Sequence, residues 1–297
     1  MNYISAKTII SGYANGDSWF GINYNMNIYK GCCHGCIYCD SRSECYGIEN
    51  FDMVRAKENS VELIRKELKS KRRKGVVGTG AMSDPYNPFE KDLMLTRNAL
   101  EQINIFNFGI SVATKSNLIT RDIDILKKIK EHSPVLIKMT ITTFKDELCK
   151  KIEGNVCTSF QRFEAIKRLS ENGIFTGILL MPILPFINDN EDNIIKIVRK
   201  AAECGAKFIF AYGMGVTLRQ NQREHFYGKL TKLFPNQNLV QKYNTVFGNG
   251  YECCSPNAKN LWKVFKLECE RLGILYRMKD ITAAYKFGYG NRQMSWF

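Results

Sequence analysis

The chain has 297 residues, with 43 Lys and Arg against 29 Asp and Glu, so its formal net charge is +14. A hydrophobic content of 44% is ordinary for a globular protein and excludes wholesale disorder. The most apolar stretch, residues 174–187, is interrupted by Gly177, Pro182 and Pro185, so the sequence predicts no membrane span.

The first residues show no cationic segment followed by a long apolar one, so we expect no secretory signal. Eleven cysteines in a chain without export predict a reducing, cytoplasmic location. There they indicate metal, cluster or redox chemistry before a disulfide framework.

Helical and β-rich patterns alternate along the first two thirds of the chain. Four amphipathic stretches, residues 60–74, 160–172, 190–204 and 257–272, are each followed by a glycine and an apolar run. Further helices are predicted at 93–104 and 122–131, and strands start near residues 26, 76, 108, 135, 175 and 207. Such alternation predicts βαβ units with a parallel sheet. Six repeats suit an open or partial barrel at least as well as a doubly wound sheet.

The regular alternation of helical and β-rich patterns ends after residue 215. Polar, helix-prone segments at 219–234 and 239–246 precede a Gly/Asn-rich turn at 248–250 and a last helix-and-strand pair. We therefore predict an N-terminal segment at 1–22, a core at 23–215, and a mainly helical C-terminal extension at 216–297 that packs on the core.

The densest chemical signal is a cysteine loop directly after the first strand. Cys32, Cys36 and Cys39 have C-x3-C-x2-C spacing, and Gly31 and Gly35 suit a tight loop. Three thiolates so close in sequence can bind one cuboidal cluster and leave one of four irons without a protein ligand. An open coordination position is where chemistry takes place, whereas a closed set of four ligands is usually structural.

Three other interpretations stay open on spacing alone. A zinc site could recruit His34 or Cys45 as its fourth ligand, although zinc loops more often carry paired C-x2-C knuckles. A disulfide could join two of the cysteines, which a reducing compartment disfavours. A different register could use Cys33 with Cys36 and Cys39.

With its aromatic Tyr38 before the last cysteine, this loop resembles the signature of the radical S-adenosylmethionine (SAM) superfamily. The segments at 82–88, 113–116 and 181–185 resemble the subgroup related to spore photoproduct lyase. The resemblance covers residues 23–215 well and implies a partial six-stranded parallel β/α barrel, in agreement with the strand count. Active sites of β/α barrels lie at the carboxyl ends of the strands.

The resemblance implies a [4Fe-4S] cluster on Cys32, Cys36 and Cys39, with SAM bound at the free iron. In the family, reductive cleavage of SAM yields a 5′-deoxyadenosyl radical that abstracts hydrogen from a substrate. It also implies an electron donor such as flavodoxin or ferredoxin as partner. Tyr38 matches the family's aromatic residue beside the adenine.

Further cofactor-binding candidates follow the predicted strands. The loop at 78–84 offers small residues and free amides, including Gly80, although it could be a simple strand-to-helix turn. The resemblance favours Ser83 as a hydrogen-bond partner of SAM, with Asp84 shaping the turn. Lys115 matches the subgroup's lysine on the methionine carboxylate, against the alternative of a solvated surface lysine. Thr142 could donate to the ribose, although β-branched residues are common in strands.

Glu153 and Arg162 are further candidates for this constellation, but each could equally belong to an ordinary surface ion pair.

Two departures separate this chain from the photoproduct lyase. Ala81 stands where that enzyme has its cysteine hydrogen donor, and Asp40 replaces a tyrosine after the third cluster cysteine. We therefore expect a lyase-like enzyme with another substrate. Cys253 and Cys254 are the candidates for a substitute catalytic thiol, and the other cysteines are interpreted as buried or inert.

The positive charge is partly localised in residues 65–74, which end in four consecutive basic residues. Such a run can follow a phosphate backbone, and basic residues also stabilise a helix C-terminus. The sequence thus predicts a radical SAM enzyme, with nucleic acid among the candidate substrates. The alternatives are a non-catalytic iron–sulfur redox module and a zinc-bearing nucleic-acid-binding protein.

Overall fold

The computed structural model describes residues 1–12 and 19–289. The strands of these residues are β1 Asn2–Ile4, β2 Ile10–Gly12, β3 Tyr24–Met26, β4 Tyr29–Lys30, β5 Arg55–Lys57, β6 Val76–Thr79, β7 Gly109–Thr114, β8 Val135–Thr140, β9 Thr176–Leu180, β10 Phe208–Ala211, β11 Gly215–Thr217 and β12 Glu252–Cys254. The helices are α1 Ser60–Ser70, α2 Glu90–Leu93, α3 Leu95–Ile105, α4 Ile123–Lys130, α5 Asp146–Ile152, α6 Ser159–Glu171, α7 Glu191–Glu203, α8 Gln222–Leu233, α9 Leu239–Phe247, α10 Ala258–Arg271 and α11 Met278–Lys286.

The central sheet has the strand order β10-β9-β8-β7-β6-β3-β2. Its first six strands are parallel, and β2 joins the end antiparallel to β3. Among the described residues β10 and β2 do not pair, so the barrel is open. The predicted α/β class and partial six-stranded barrel are confirmed.

Strands β6, β8, β9 and β10 are buried on both faces, as a parallel sheet covered by helices requires. All six residues of β8 and all five of β9 are buried. Helix α6 begins with a capping box between Thr158 and Gln161 and ends before Gly173, whose φ of 69° is left-handed. Gly205 closes α7 in the same way, with φ 76°. The glycine after each amphipathic stretch therefore predicted these helix-to-strand junctions correctly.

The amino-terminal end of the barrel is filled by an apolar cluster. A short 3-10 helix, Trp19–Gly21, places Phe20 against Leu136 and Phe208 from two strands, with Tyr285 of α11 packed beneath. The Tyr285 hydroxyl donates to the Phe20 carbonyl at 2.7 Å. Helix α11 thus holds the 3-10 helix in place as part of the barrel floor.

The segment after residue 215 packs a second apolar cluster against the cysteine loop. Ile37 and Tyr38 lie against Phe226 of α8 and Tyr243 of α9, while α10 packs beside α7. The division of the chain at residues 22 and 215 stays a prediction.

Two predicted elements differ from the structure. Helix α1 ends at Ser70, not at residue 74, because Lys71 is extended and its ammonium lies over the Tyr24 ring. The predicted last strand forms only an isolated parallel bridge between Leu275 and Phe208, and the chain then enters α11, which the sequence pattern did not predict. Within the described ranges, we find no helix that is long and apolar enough to cross a membrane.

Candidate active site

A cavity of about 470 Å³ opens at the carboxyl ends of the parallel strands. Segments that follow five of these strands meet there, together with the end of the cysteine loop. The residues that line it in these segments are Tyr38, Cys39, Asp40, Ser41, Gly78, Thr79, Gly80, Ala81, Asp84, Thr114, Lys115, Thr140, Met181, Pro182 and Tyr212. The predicted meeting of these segments at one face of the barrel is therefore what the structure has.

The cysteine loop is fixed by backbone contacts that only glycine permits. Gly31 has φ 80°, and a Cβ there would lie 2.4 Å from the Met53 carbonyl oxygen. The amide of Cys32 donates to the Phe51 carbonyl at 2.8 Å, and the amide of Ile37 donates to the Ile152 carbonyl at 3.0 Å. Backbone hydrogen bonds thus anchor the loop on both sides.

All eleven cysteines are free thiols, and the three loop cysteines differ in exposure. Cys36 is buried, whereas Cys32 and Cys39 are partly exposed. Burial, and then the nearby Asp84 carboxylate, raise the pKa of Cys32 to about 12. Burial also raises the pKa of Cys36, against the opposing effect of Lys115. In residues 1–12 and 19–289, no group of three or more His, Cys, Asp or Glu side chains is arranged to hold a metal ion.

Tyr38 is held by a buried ion pair that lies 115 residues further along the chain. Its hydroxyl donates to Glu153 Oε1, and Glu153 Oε2 lies 2.6 Å from Arg162 Nη1. Burial tends to raise the pKa of Glu153, but Arg162 and Lys115 outweigh it and hold that pKa below its usual value. Arg162 also donates to the Thr140 carbonyl at 2.9 Å, so this network ties the loop to the end of β8.

Asp84 joins the loop after β6 to the end of β7 and to the cysteine loop. Its Oδ1 accepts from the Tyr86 amide at 2.9 Å and the Thr114 hydroxyl at 2.7 Å. Its Oδ2 accepts from the Lys115 amide at 2.8 Å and lies 3.4 Å from Nδ1 of buried His34. Asp84 therefore bonds within its own turn and ties that turn to the cysteine loop.

Lys115 lines the cavity beside the cysteine loop. Its ammonium is 5.8 Å from the centre of the Tyr38 ring. Burial lowers the pKa of Lys115, but the attraction of negative charge on Cys36 and on Glu153 outweighs it, so the pKa is above its usual value. The side chain is consequently a cation held at the cavity wall.

The other predicted site residues are placed in different ways. Gly80 lines the cavity with φ 94°. Ser83 donates its hydroxyl to the Gly31 carbonyl and stands outside the described lining. Thr142 is buried with its hydroxyl 3.5 Å from Glu153, also outside that lining, whereas Thr140 lines the cavity.

The paired cysteines near the C-terminus diverge. Cys253 is fully buried in the second apolar cluster, and Cys254 is exposed. Neither is among the described residues that line the cavity, although their partner strand β11 does line it. Cys45, the distant candidate for a zinc ligand, is exposed with its sulfur 3.3 Å from Arg219 Nη1.

The cavity is also lined by Lys138, Asn25 and Trp19, which were not predicted from the sequence. Only Lys138 carries a signal in the sequence, because it interrupts the apolar run of a strand that is buried on both faces.

A family model described as the radical SAM superfamily matches residues 26–201. This match exceeds half of the chain, and the chain belongs to that superfamily. The predicted membership of the radical SAM superfamily is therefore confirmed. Proteins of the superfamily generally bind a [4Fe-4S] cluster and SAM.

Two relatives carry names that describe them as uncharacterized proteins. One, from Methanocaldococcus jannaschii, is 38% identical over 175 residues, which are 58% of this chain and 64% of that protein. Another, from Mycobacterium tuberculosis, is 25% identical over 234 residues, which are 76% of this chain and 68% of that protein. The chain thus spans slightly less than two thirds of the archaeal relative.

Solved structures share the fold at low identity. Spore photoproduct lyase complexed with dinucleoside spore photoproduct has a TM-score of 0.64 and 14% identity, over 93% of this chain and 81% of that one. The radical SAM methyltransferase TsrM from Kitasatospora setae, with tryptophan and a SAM analogue bound, has a TM-score of 0.55 and 11% identity, over 84% of this chain and 51% of that one.

Proposed function

We propose that Cys32, Cys36 and Cys39 bind a [4Fe-4S] cluster whose reduced form supplies the electron that cleaves SAM to a 5′-deoxyadenosyl radical, which abstracts hydrogen from a substrate in the cavity. The observation that carries the proposal is the convergence of the cysteine loop with the strand ends on one cavity. The chemistry of the donors also fits, since three thiols in one loop can bind a four-iron cluster and leave one iron without a protein ligand. The described side chains are not gathered around a single ion, so the fit rests on donor type and spacing and not on a preformed metal geometry.

The cavity residues suit the two ends of SAM. Lys115 presents a charge for the methionine carboxylate, and its backbone is fixed by Asp84. The Tyr38 ring, fixed through its hydroxyl by Glu153, offers a flat apolar face for the adenine. Gly80 lets the backbone of the β6 loop approach a ligand closely.

Two residue roles change in this proposal. Ser83 is assigned to the cysteine loop through its bond to Gly31. Thr140 takes the place of Thr142 as the hydroxyl at the end of β8, because it lines the cavity. We also propose that flavodoxin or ferredoxin is the electron donor and that the protein is cytoplasmic.

The test is anaerobic reconstitution followed by iron and sulfide analysis, then reaction with SAM and dithionite. We expect about four irons per chain and the formation of 5′-deoxyadenosine and methionine. Cys36→Ala and Cys32→Ala should lose the cluster and the product. Cys204→Ala removes a buried cysteine at the end of α7 and should keep both.

Cys33→Ala distinguishes the two registers, because it retains iron only if Cys32 is the ligand. Zinc in place of iron would contradict the cluster. A fully loaded protein that never yields 5′-deoxyadenosine, with or without candidate substrates, would contradict the radical chemistry.

A further inference from the structure

A lysine lies inside the barrel, on the wall of the cavity. Lys138 is in the middle of β8 and is only 3% exposed. Its ammonium donates to the Ser111 hydroxyl at 2.7 Å and lies 4.7 Å from the centre of the Phe20 ring. It therefore stands above the apolar floor formed by the 3-10 helix.

This lysine lacks the partner that a structural buried cation needs. Among the described residues, no carboxylate lies within ion-pair distance of Lys138. An ammonium has three hydrogen-bond donors, and Ser111 accepts one of them. A buried charge is ordinarily paired, because desolvation without a counter-charge is costly. The remaining donors are consequently available to a ligand.

The surroundings keep this ammonium accessible from the cavity and poorly solvated. Ala113 on neighbouring β7 and Gly78 on β6, one strand further along the sheet, line the same space, and their small size leaves room beside Lys138. Ile22 and Leu179 make the nearby wall apolar. An anion that enters would meet a cation in a setting where electrostatic attraction is stronger than in water.

The charges of other titratable groups do not contribute to the pKa shift of Lys138. Those that line the cavity are Tyr38, Cys39, Asp40, Asp84, Lys115 and Tyr212. On the helix beneath the floor, Tyr285 and Lys286 donate to the carbonyls of Phe20 and Gly21. The pKa of Lys138 is lowered to about 7 by burial alone.

We propose that Lys138, oriented by Ser111, binds an oxyanion of the substrate, a carboxylate or a phosphate, at the floor of the cavity. The inference rests on the proposed function, because it places the substrate in the cavity that SAM also enters. Lys115 is assigned to the methionine carboxylate, and Lys138 is a second cation for a second ligand. The role is recognition and positioning, with no covalent step.

The probes are sodium acetate and sodium phosphate, added to reconstituted protein that carries 13C at lysine Cε and contains SAM. The NMR resonance that Lys138→Met lacks is assigned to Lys138. We expect one or both anions to shift it saturably at about pH 6 and to bind about tenfold or more weakly at about pH 9, where the amine is neutral. Acetate does not itself titrate in this range, so its response reports on the lysine.

The two probes separate the sources of the oxyanion. A response to acetate assigns a carboxylate, and a response to phosphate alone assigns a phosphate. Ser111→Ala should weaken the response, and Lys167→Met, which removes an exposed lysine of α6, should leave it unchanged. A Lys138 resonance that ignores both anions, or moves equally with sodium chloride at matched ionic strength, would overturn the inference.

Thermal unfolding is the check that the Lys138→Met variant is folded. Lys138→Met removes an amine that the folded state prefers to hold uncharged, so its midpoint at pH 7 should be no lower than that of the wild type. Anion binding at Lys138 without 5′-deoxyadenosine formation contradicts the proposed function alone. The product without anion binding contradicts only this inference.

Discussion

At the scale of single residues, Glu153 links the cysteine loop to the barrel. It is 1% exposed and accepts from Tyr38 while it pairs with fully buried Arg162. Removing one partner of such a pair leaves the other charge desolvated. The ring of Tyr38 and the stability of the barrel therefore depend on one carboxylate.

We expect Glu153→Gln to lower the free energy of unfolding by about 3–5 kcal/mol, because Arg162 loses its anionic partner. Denaturant unfolding measures the loss. The matched control is Glu171→Gln, whose exposed pair with Lys167 should be worth about 0–1 kcal/mol. Equal effects of the two substitutions would contradict the role of Glu153.

The pH dependence of this loss has a definite sign. The pKa of Glu153 is held below its usual value of 4.5, so its contribution is present above that value. It is lost as the pH falls through the pKa of the folded state. The difference in stability between the wild type and Glu153→Gln should therefore narrow in acid.

At the scale of elements, the junction after β6 depends on Gly80. Its φ of 94° is left-handed, and a Cβ there would lie 1.9 Å from the Ala113 carbonyl oxygen on β7. The two strand ends consequently approach too closely for any other residue. This contact sets the position of the loop that continues to Asp84.

Gly80→Ala should cost about 2 kcal/mol or more, because the strained conformation and the clash add. Gly228→Ala provides the control, since that glycine lies inside α8 with nothing within 4 Å of the added Cβ. The control should be neutral or stabilising by up to about 1 kcal/mol. Chemical denaturation of both variants decides, and an undisturbed Gly80→Ala protein would refute the packing argument.

Elements with local signals were predictable from the sequence. Gly173 and Gly205 close helices in the left-handed conformation, and both helices and the strands after them were found. Helix α1 ends four residues before its predicted end because Lys71 contacts Tyr24, and helix propensity cannot predict such a tertiary contact. Helix α11 was missed for a similar reason, since it is positioned by the 3-10 helix some 260 residues earlier.

The candidate site divides in the same way. The C-x3-C-x2-C spacing and the strand-end position of Lys115 are local features, and both lie in segments that reach the cavity. Thr140 and Thr142 would share one face if the strand continued, but β8 ends at Thr140, which lines the cavity, and Thr142 lies buried beside Glu153. The hydrogen bond between Tyr38 and Glu153 joins segments that are 115 residues apart, so the local spacing of residues in the sequence could not predict it.

At the scale of the whole molecule, the basic run and the cavity lie at opposite ends of the barrel. Lys71 and Lys74 sit over the rings of Tyr24 and Phe108, which stand at the amino ends of β3 and β7. The cavity is at the carboxyl ends. A nucleic acid held by residues 65–74 would therefore be held away from the proposed site of chemistry.

The double substitution of Arg72 and Arg73 by Gln tests this separation, because both are exposed and outside these ring contacts. We expect weaker retention of DNA and RNA at low salt if the run binds phosphates. The yield of 5′-deoxyadenosine from SAM and dithionite should stay unchanged. Fluorescence anisotropy and chromatography measure the two quantities, and a loss of product would contradict the separation of the two ends.

The apolar floor has a consequence for the order of events. Phe20 and α11 fill the amino-terminal end of the barrel, so the described residues close the cavity at that end. A ligand on Lys138 would lie deeper than one at Thr140, because the chain runs from Lys138 towards the mouth. Two ligands that both enter and leave at the carboxyl ends of the strands would therefore be released in the reverse order of their binding. Whichever molecule enters second must leave before the first can be exchanged.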